Sequence, residues 1–174
     1  MKILKNKLKS KLNIRTERDF PKEGIEFIDI MPLIIQKETF NEIIEKFVQE
    51  IEPKEVDYIV GPESRGYIFA SAIANKLGLG FIPIRKEGKL PDDLVYKAKY
   101  EKEYGIDILC LPKNDGYLNK NFYVVDDVLA TGGTLKACKE LIEKCGGNYI
   151  GTGVYINIKK LNNEQVDYVL EFDE

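Results

Sequence analysis

Histidine is absent from the chain. Its absence excludes mechanisms built on a Ser-His or Cys-His couple, and metal sites ligated by imidazole, so proton transfer falls to carboxylates, lysine, tyrosine or water. Cysteine is scarce: Cys110, Cys138 and Cys145 are odd in number and show no CxxC spacing, which points to neither a disulfide framework nor a zinc knuckle. Cys138 and Cys145 share one helical face and are expected to be buried thiols. Also missing is any apolar run of the ~18 residues a membrane span requires, or the uninterrupted apolar core of a signal peptide, so no membrane partner and a cytoplasmic address are expected. Neither sign of charge dominates: 26 Lys+Arg against 29 Asp+Glu leave a formal net charge of -3. No nucleic-acid partner is expected from that balance. The one basic run is MKILKNKLKSKL at the start, where Lys2, Lys5, Lys7, Lys9 and Lys11 alternate with Ile3, Leu4, Leu8 and Leu12. It reads as a solvated first helix or, alternatively, as a basic arm.

What is present is enough for one domain, 1–174, because 44% of the 174 residues are hydrophobic and can close a core without staples. Phe40, Ile43, Ile44, Phe47, Val48 and Ile51 recur at helical spacing, predicting an amphipathic helix over 39–51 with Thr39 as N-cap and Pro53 beyond its end. A strand at 56–60, a turn at 61–66 and a helix ending at Gly78 follow, then a strand at 81–84. The pattern repeats with a strand at 122–126, the turn Thr131-Gly132-Gly133-Thr134, a helix ended by Gly146-Gly147, and a strand at 149–156. Two strand–turn–helix–strand units predict an α/β fold: a parallel-stranded sheet flanked by helices on both faces. Between the units, 86–116 is rich in Gly, Pro, Asp and Lys and reads as a loop or flexible hairpin with few apolar anchors, long enough to serve as a lid over about 89–105.

The segment Val124-Val125-Asp126-Asp127-Val128-Leu129-Ala130-Thr131-Gly132-Gly133-Thr134 carries the chemistry. In an open parallel sheet, ligands bind beyond the carboxyl ends of strands, and this turn lies there, leading into a helix N-terminus whose unpartnered N–H groups suit a phosphate. The GxxxxGK[ST] spacing of a nucleoside triphosphate loop is missing. Asp126 and Asp127 stand within one sugar's length of that phosphate, where carboxylates accept hydrogen bonds from ribose hydroxyls. Alone, such a pair reads more readily as strand-end solvation; next to the T-G-G-T turn it reads as a ribose 5-phosphate site.

This segment resembles the binding motif for phosphoribosyl pyrophosphate (PRPP) of the type I phosphoribosyltransferases. Three further segments are similar to the adenine-specific members of that family: Asp19-Phe20-Pro21 with 24–30, then Ser64-Arg65-Gly66, then 84–91 with Glu103-Tyr104-Gly105. The resemblance implies transfer of the 5-phosphoribosyl group from PRPP to adenine, giving AMP and pyrophosphate. It implies a small N-terminal hood at about 19–35, Mg²⁺ held mainly by PRPP and water with no dedicated protein ligands, and a homodimer. By residue, it implies ribose-phosphate contacts from Asp126, Asp127, Ala130, Thr131, Gly132, Gly133 and Thr134. Pyrophosphate contacts are implied for Ser64, Arg65, Arg85, Lys86 and Lys89, with a non-proline cis peptide between Glu63 and Ser64. Phe27 is implied to stack on adenine while backbone groups of Glu26 and Ile28 read its edge, and Glu103 with Tyr104 forms the catalytic pair on the lid. The sequence departs from the family at Ile28, where a basic residue is common, and at Met31, where Ser or Thr is usual; 110–116 also diverges. A phosphoribosyltransferase for another base, and a PRPP-sensing binder without catalysis, are the competing readings.

Overall fold

The computed structural model describes residues 14–20, 22–24, 26–102 and 105–172. The lysine-rich start, Pro21, Ile25 and the expected catalytic pair Glu103 and Tyr104 lie outside the described residues. The chain, read from sequence as one domain, divides between Glu45 and Lys46 into two compact units.

In the first unit, β1 (Arg15–Arg18) and β2 (Glu26–Asp29) form an antiparallel hairpin with Arg15 opposite Asp29. Asp19 sits at φ 57°, and its carboxylate accepts the Gly24 N–H at 2.7 Å, so a short polar side chain holds the connection. Arg15 donates to the Asp29 carboxylate, whose other oxygen accepts the Met31 N–H at 2.9 Å, at the head of the short helix α1 (Met31–Ile34). Ile28, Ile30 and Leu33 are buried. Helix α2 (Lys37–Ile51) begins two residues ahead of the expected start. The Gln36 carbonyl accepts the Phe40 N–H at 2.9 Å, and the Thr39 hydroxyl donates to Gln36 Oε1 at 3.3 Å, so Thr39 stands inside the first turn instead of capping it.

In the second unit, seven of the described strands form one sheet in the order β5-β6-β4-β3-β7-β8-β9. They are β3 (Tyr58–Pro62), β4 (Gly80–Lys86), β5 (Val95–Lys102), β6 (Gly105–Pro112), β7 (Asn121–Leu129), β8 (Asn148–Ile158) and β9 (Asp167–Phe172). β4, β3, β7, β8 and β9 pair in parallel. Helices α3 (Gly66–Leu77) and α4 (Gly133–Lys144) provide two of the crossovers, as the sequence pattern predicts. Alternation along the strands sends side chains to opposite faces. Val60, Phe122, Val124 and Val154 pack with Leu135, Cys138, Leu141 and Ile142 of α4. On the other face Phe69 of α3 stacks on Tyr155, ring centroids 5.9 Å apart, with Phe47 beside Phe69 at 6.3 Å. Each such buried side chain contributes ~1.5–3 kcal/mol before entropy is counted.

The structure differs from the sequence reading, or adds to it, at three places. Of the two readings of 86–116, loop or flexible hairpin, the hairpin holds, with β5 and β6 antiparallel and joined to the sheet through β4; it is not poor in apolar anchors, since Val95, Ala98, Tyr100, Leu109, Cys110 and Leu111 are buried. Strand β7 does not stop at Asp126 but runs to Leu129, because β8 accompanies it, pairing Asp126 with Val154 and Leu129 with Asn157. β9, on the far edge, has no counterpart in the sequence-based pattern.

Candidate active site

Past Leu129 the chain turns through 130–134 into α4. Gly132 has φ 85° and ψ 2°, a left-handed conformation that strains any side chain, and its carbonyl accepts the Lys136 N–H at 3.0 Å as the helix begins. No side chain caps this terminus, so the N–H groups of the first turn lack intrahelical acceptors. A cavity of about 210 Å³ opens against them, lined by the turn itself and by Asp126, Tyr100, Cys138 and Thr152.

The acidic pair is split by the strand. Asp126 and Asp127 are consecutive in β7 and therefore face opposite sides of the sheet. Asp126, half-buried, lines the cavity, and its Oδ1 accepts the Asp127 N–H at 2.8 Å. Burial, and then the charge of Asp127, push its carboxyl well above the usual carboxylate range. Burial together with the Asp126 charge also raises the Cys138 thiol, so Cys138 stays protonated. Asp127 is only 4% exposed and stands 2.7 Å from Arg65 Nε, an ion pair at the head of α3.

Of the expected pyrophosphate residues, Ser64 and Arg65 stand in the turn between β3 and α3, and Arg85 and Lys86 adjoin it through Glu63. The Glu63–Ser64 peptide is cis, as the resemblance implied. Gly66 has no space for a side chain: a Cβ there would lie 2.7 Å from Pro62 Cδ, 2.9 Å from Asp126 Oδ1 and 3.1 Å from the Val125 carbonyl. Ser64 is exposed and Arg65 half-buried. Glu63, which sequence reasoning did not single out, organises the rest: its Oε2 accepts the Lys86 N–H at 2.9 Å and lies 3.5 Å from Arg85 Nε. That Arg85 nitrogen is buried with no hydrogen-bond partner among the described residues. The Lys86 and Lys89 side chains are exposed.

The residues implied for the base belong to the first unit. Phe27 is half-buried and meets Phe20 edge-on, ring centroids 5.2 Å apart. Glu26 and Ile28 flank it on β2. At the two departures from the family pattern, Ile28 is 6% exposed, buried where a basic side chain is common, and Met31 is 45% exposed.

Residues 34–173 match the family model described as phosphoribosyl transferase domain. Over 159 residues, 89% of this chain and 92% of the relative, the sequence is 43% identical to an adenine phosphoribosyltransferase of Streptococcus uberis. The chain belongs to the adenine phosphoribosyltransferase family. Among solved members, the Thermoanaerobacter pseudethanolicus structure superposes with a TM-score of 0.84 at 38% identity, covering 93% of this chain and 97% of that one. The Saccharomyces cerevisiae structure, complexed with adenine and an imino-altritol bisphosphate, gives 0.84 at 35% identity, covering 97% and 98%.

Beyond the family's motifs, the site contains residues the sequence reading missed. Tyr100 reaches the cavity from β5, its hydroxyl donating to Asp107 Oδ2 at 3.3 Å. The available signal is the weak apolar–polar alternation of Leu94-Val95-Tyr96-Lys97-Ala98-Lys99-Tyr100. Thr152 is buried on β8 and shares a 2.7 Å hydrogen bond with the Tyr149 hydroxyl. Among the described residues, no group of three or more His, Cys, Asp or Glu side chains is arranged to hold a metal ion, and no helix is long and apolar enough to cross a membrane.

Proposed function

We propose that this protein transfers the 5-phosphoribosyl group of PRPP to adenine, giving AMP and pyrophosphate, a step of purine salvage. The observation that carries the reading is the cavity at the 130–134 turn, with Asp126 in its wall, in a chain that matches adenine-specific relatives over nearly its whole length. The 5-phosphate takes the N–H groups of the turn and the Thr131 and Thr134 hydroxyls, with Ala130, Gly132 and Gly133 supplying close backbone approach. Asp126, in the cavity wall, is assigned the ribose hydroxyls, and Asp127, on the opposite side of the strand, is assigned to hold Arg65.

The diphosphate is assigned to Ser64, Arg65, Arg85, Lys86 and Lys89. Its support is the buried Arg85 Nε, a donor that an anionic oxygen satisfies. As the glycosidic bond breaks, negative charge grows on the leaving group, and these cations stabilise it more in the transition state than before it. Asp127 and Glu63 already balance Arg65 and Arg85, and Asp126 Oδ1 is engaged by a backbone N–H, so the residues present fit a Mg²⁺ that arrives on PRPP with water in its shell. When bound, the ion neutralises charge on the diphosphate.

Adenine is assigned to Phe27 and to backbone groups of Glu26 and Ile28. The yeast relative was crystallised with adenine. A carbonyl acceptor beside an N–H donor matches adenine's 6-amino group and N1 and mismatches a 6-oxo purine. The proton leaving N9 is assigned to Glu103, aided by Tyr104, on the sequence argument that no histidine is available. A homodimer and a cytoplasmic location complete the proposal, as family expectations.

The test is AMP formation from PRPP, Mg²⁺ and adenine, compared with hypoxanthine, guanine and xanthine. Adenine is expected to be the preferred base by about 10²-fold or more, the discrimination available when a mismatched base leaves buried polar groups unpaired. Faster turnover of a 6-oxo purine, or PRPP binding without turnover of any base, overturns the reading.

A further inference from the structure

The phosphate turn is braced from behind by a short segment that follows β8. Asn162 Nδ2 lies 2.9 Å from the Ala130 carbonyl, 3.1 Å from Asn157 Oδ1 and 3.0 Å from the Ile158 carbonyl, and its Oδ1 accepts the Glu164 N–H at 3.1 Å. The amide thus has acceptors around its nitrogen and a donor at its oxygen, which fixes its orientation. Two residues on, Glu164 packs against the turn: a Cβ placed on Gly132 would lie 3.4 Å from Glu164 Cγ. The Glu164 carboxylate pairs with Lys139 of α4 at 3.2 Å, and that ammonium lies 4.8 Å from the centre of the Tyr149 ring. Residues 162–164 therefore hold the turn at both ends, at Ala130 before it and at Lys139 after it.

The geometry of a single peptide gives this brace its consequence. In a trans peptide the carbonyl of one residue and the N–H of the next point in opposite directions. Asn162 does not line the cavity, whereas Ala130 and Thr131 do. By drawing the Ala130 carbonyl towards itself, Asn162 turns the Thr131 N–H the other way, to the cavity side. We propose that Asn162 is a positioning residue for phosphate recognition: it touches no ligand, but sets the direction of the first N–H of the phosphate turn. This inference rests on the ribose-phosphate reading of the cavity, not on which base is used.

The test uses Asn162→Ala, Asn162→Asp and, as a control, Asn121→Ala. Asn121 makes comparable side-chain hydrogen bonds, including 2.7 Å to the Glu55 carbonyl, at the opposite end of β7. Asn162→Asp keeps the acceptor for Glu164 but sets a carboxylate oxygen against three acceptors, so its effect is expected to exceed that of alanine. Ribose 5-phosphate binding is measured by calorimetry, with kcat and the KM values for PRPP and adenine measured separately. For Asn162→Ala the ribose 5-phosphate Kd and the PRPP KM are expected to rise about tenfold, with kcat within about threefold and the adenine KM within about twofold. Asn121→Ala is expected to lower the melting temperature without that split. If both KM values move together in the Asn162 variants, or neither moves, the inference is overturned. If Asn162→Asp does not fold, Asn162→Ala, at a half-buried loop position, decides alone. A wild-type protein that binds ribose 5-phosphate but does not turn over adenine defeats the proposed function and leaves the Asn162 result readable.

Discussion

Two strand-to-helix turns occupy equivalent places in the sheet, and the anion sites proposed at them are built differently. The turn from β3 into α3 is charged and crowded: Glu63 and Arg65 alternate in sign, the Glu63–Ser64 peptide is cis, and Gly66 is hemmed in on three sides. The turn from β7 into α4 carries no charged residue from Ala130 to Thr134, and its glycine at 132 is needed for its dihedral angles more than for space. The first offers one side-chain cation, Arg65, already balanced by Asp127, with Arg85 of β4 beside Glu63. The second offers backbone N–H groups, aimed by its surroundings. A leaving diphosphate changes its charge during reaction and gains from cations, whereas a 5-phosphate that stays bound throughout needs only a fixed cradle.

Substitutions at the two turns should therefore fail in different ways. The largest effect is expected for Arg65→Ala, which withdraws the proposed diphosphate donor and leaves Asp127, 4% exposed, without its counter-charge. A fall in kcat/KM for PRPP of about 10²–10³-fold is expected in steady-state assays. A loss under about threefold would detach this turn from the leaving group. Next is Gly66→Ala, whose Cβ meets the Pro62 ring and the Val125 backbone, neither able to yield. Urea unfolding should show ~1–3 kcal/mol of destabilisation. For Gly132→Ala the nearest atom is the flexible Glu164 side chain at 3.4 Å, so the cost is conformational, ~1–2 kcal/mol, accompanied by a raised KM for PRPP. Equal destabilisation by the two alanines, with equal kinetic effects, would erase the contrast between space and dihedral angle.

The smallest effect is expected at Asp126, and its sign is opposite. Its carboxyl is raised in the folded chain above the ordinary 3.8, so the ionised form costs stability at neutral pH. That cost is absent below the unfolded value and grows as pH climbs from there through the folded value. Asp126→Asn should thus melt higher than the parent at pH 7, with the advantage vanishing as pH falls below 3.8, while PRPP affinity drops. Melting curves across pH check this; a pH-independent difference would locate the strain elsewhere.

Much of this arrangement was legible in the residues. The helical spacing from Phe40 to Ile51, the two strand–turn–helix units and the glycine turn at 131–134 reflect local periodicity and turn chemistry, which act over short stretches of chain. What escaped depends on partners far away in sequence. The sequence pattern ends strand β7 at Asp126, yet the ladder with β8 carries it three residues further, to Leu129. The 86–116 segment reads as a loop or flexible hairpin through its glycines, prolines and charges, while its pairing with β4 and its cover by α4 make the hairpin core-bearing. Asn162 gave no signal at all, since an asparagine after a strand is ordinary until the Ala130 carbonyl is seen beside it. Glu63 and Tyr100 were hidden for the same reason: each acts through a neighbour supplied by another strand.

The three buried thiols have a practical corollary. Cys110 sits in the hairpin on β6, while Cys138 and Cys145 mark the middle and the end of α4; burial raises all three above the usual thiol value. Only thiolates react readily with disulfide reagents or maleimides, so the folded chain should be nearly silent towards them. Each modification event then counts an opening of the surrounding structure. Cys110 labelling before Cys138 would time the release of the hairpin against that of the helix, so the wild-type chain carries its own clock for local unfolding without any engineered probe.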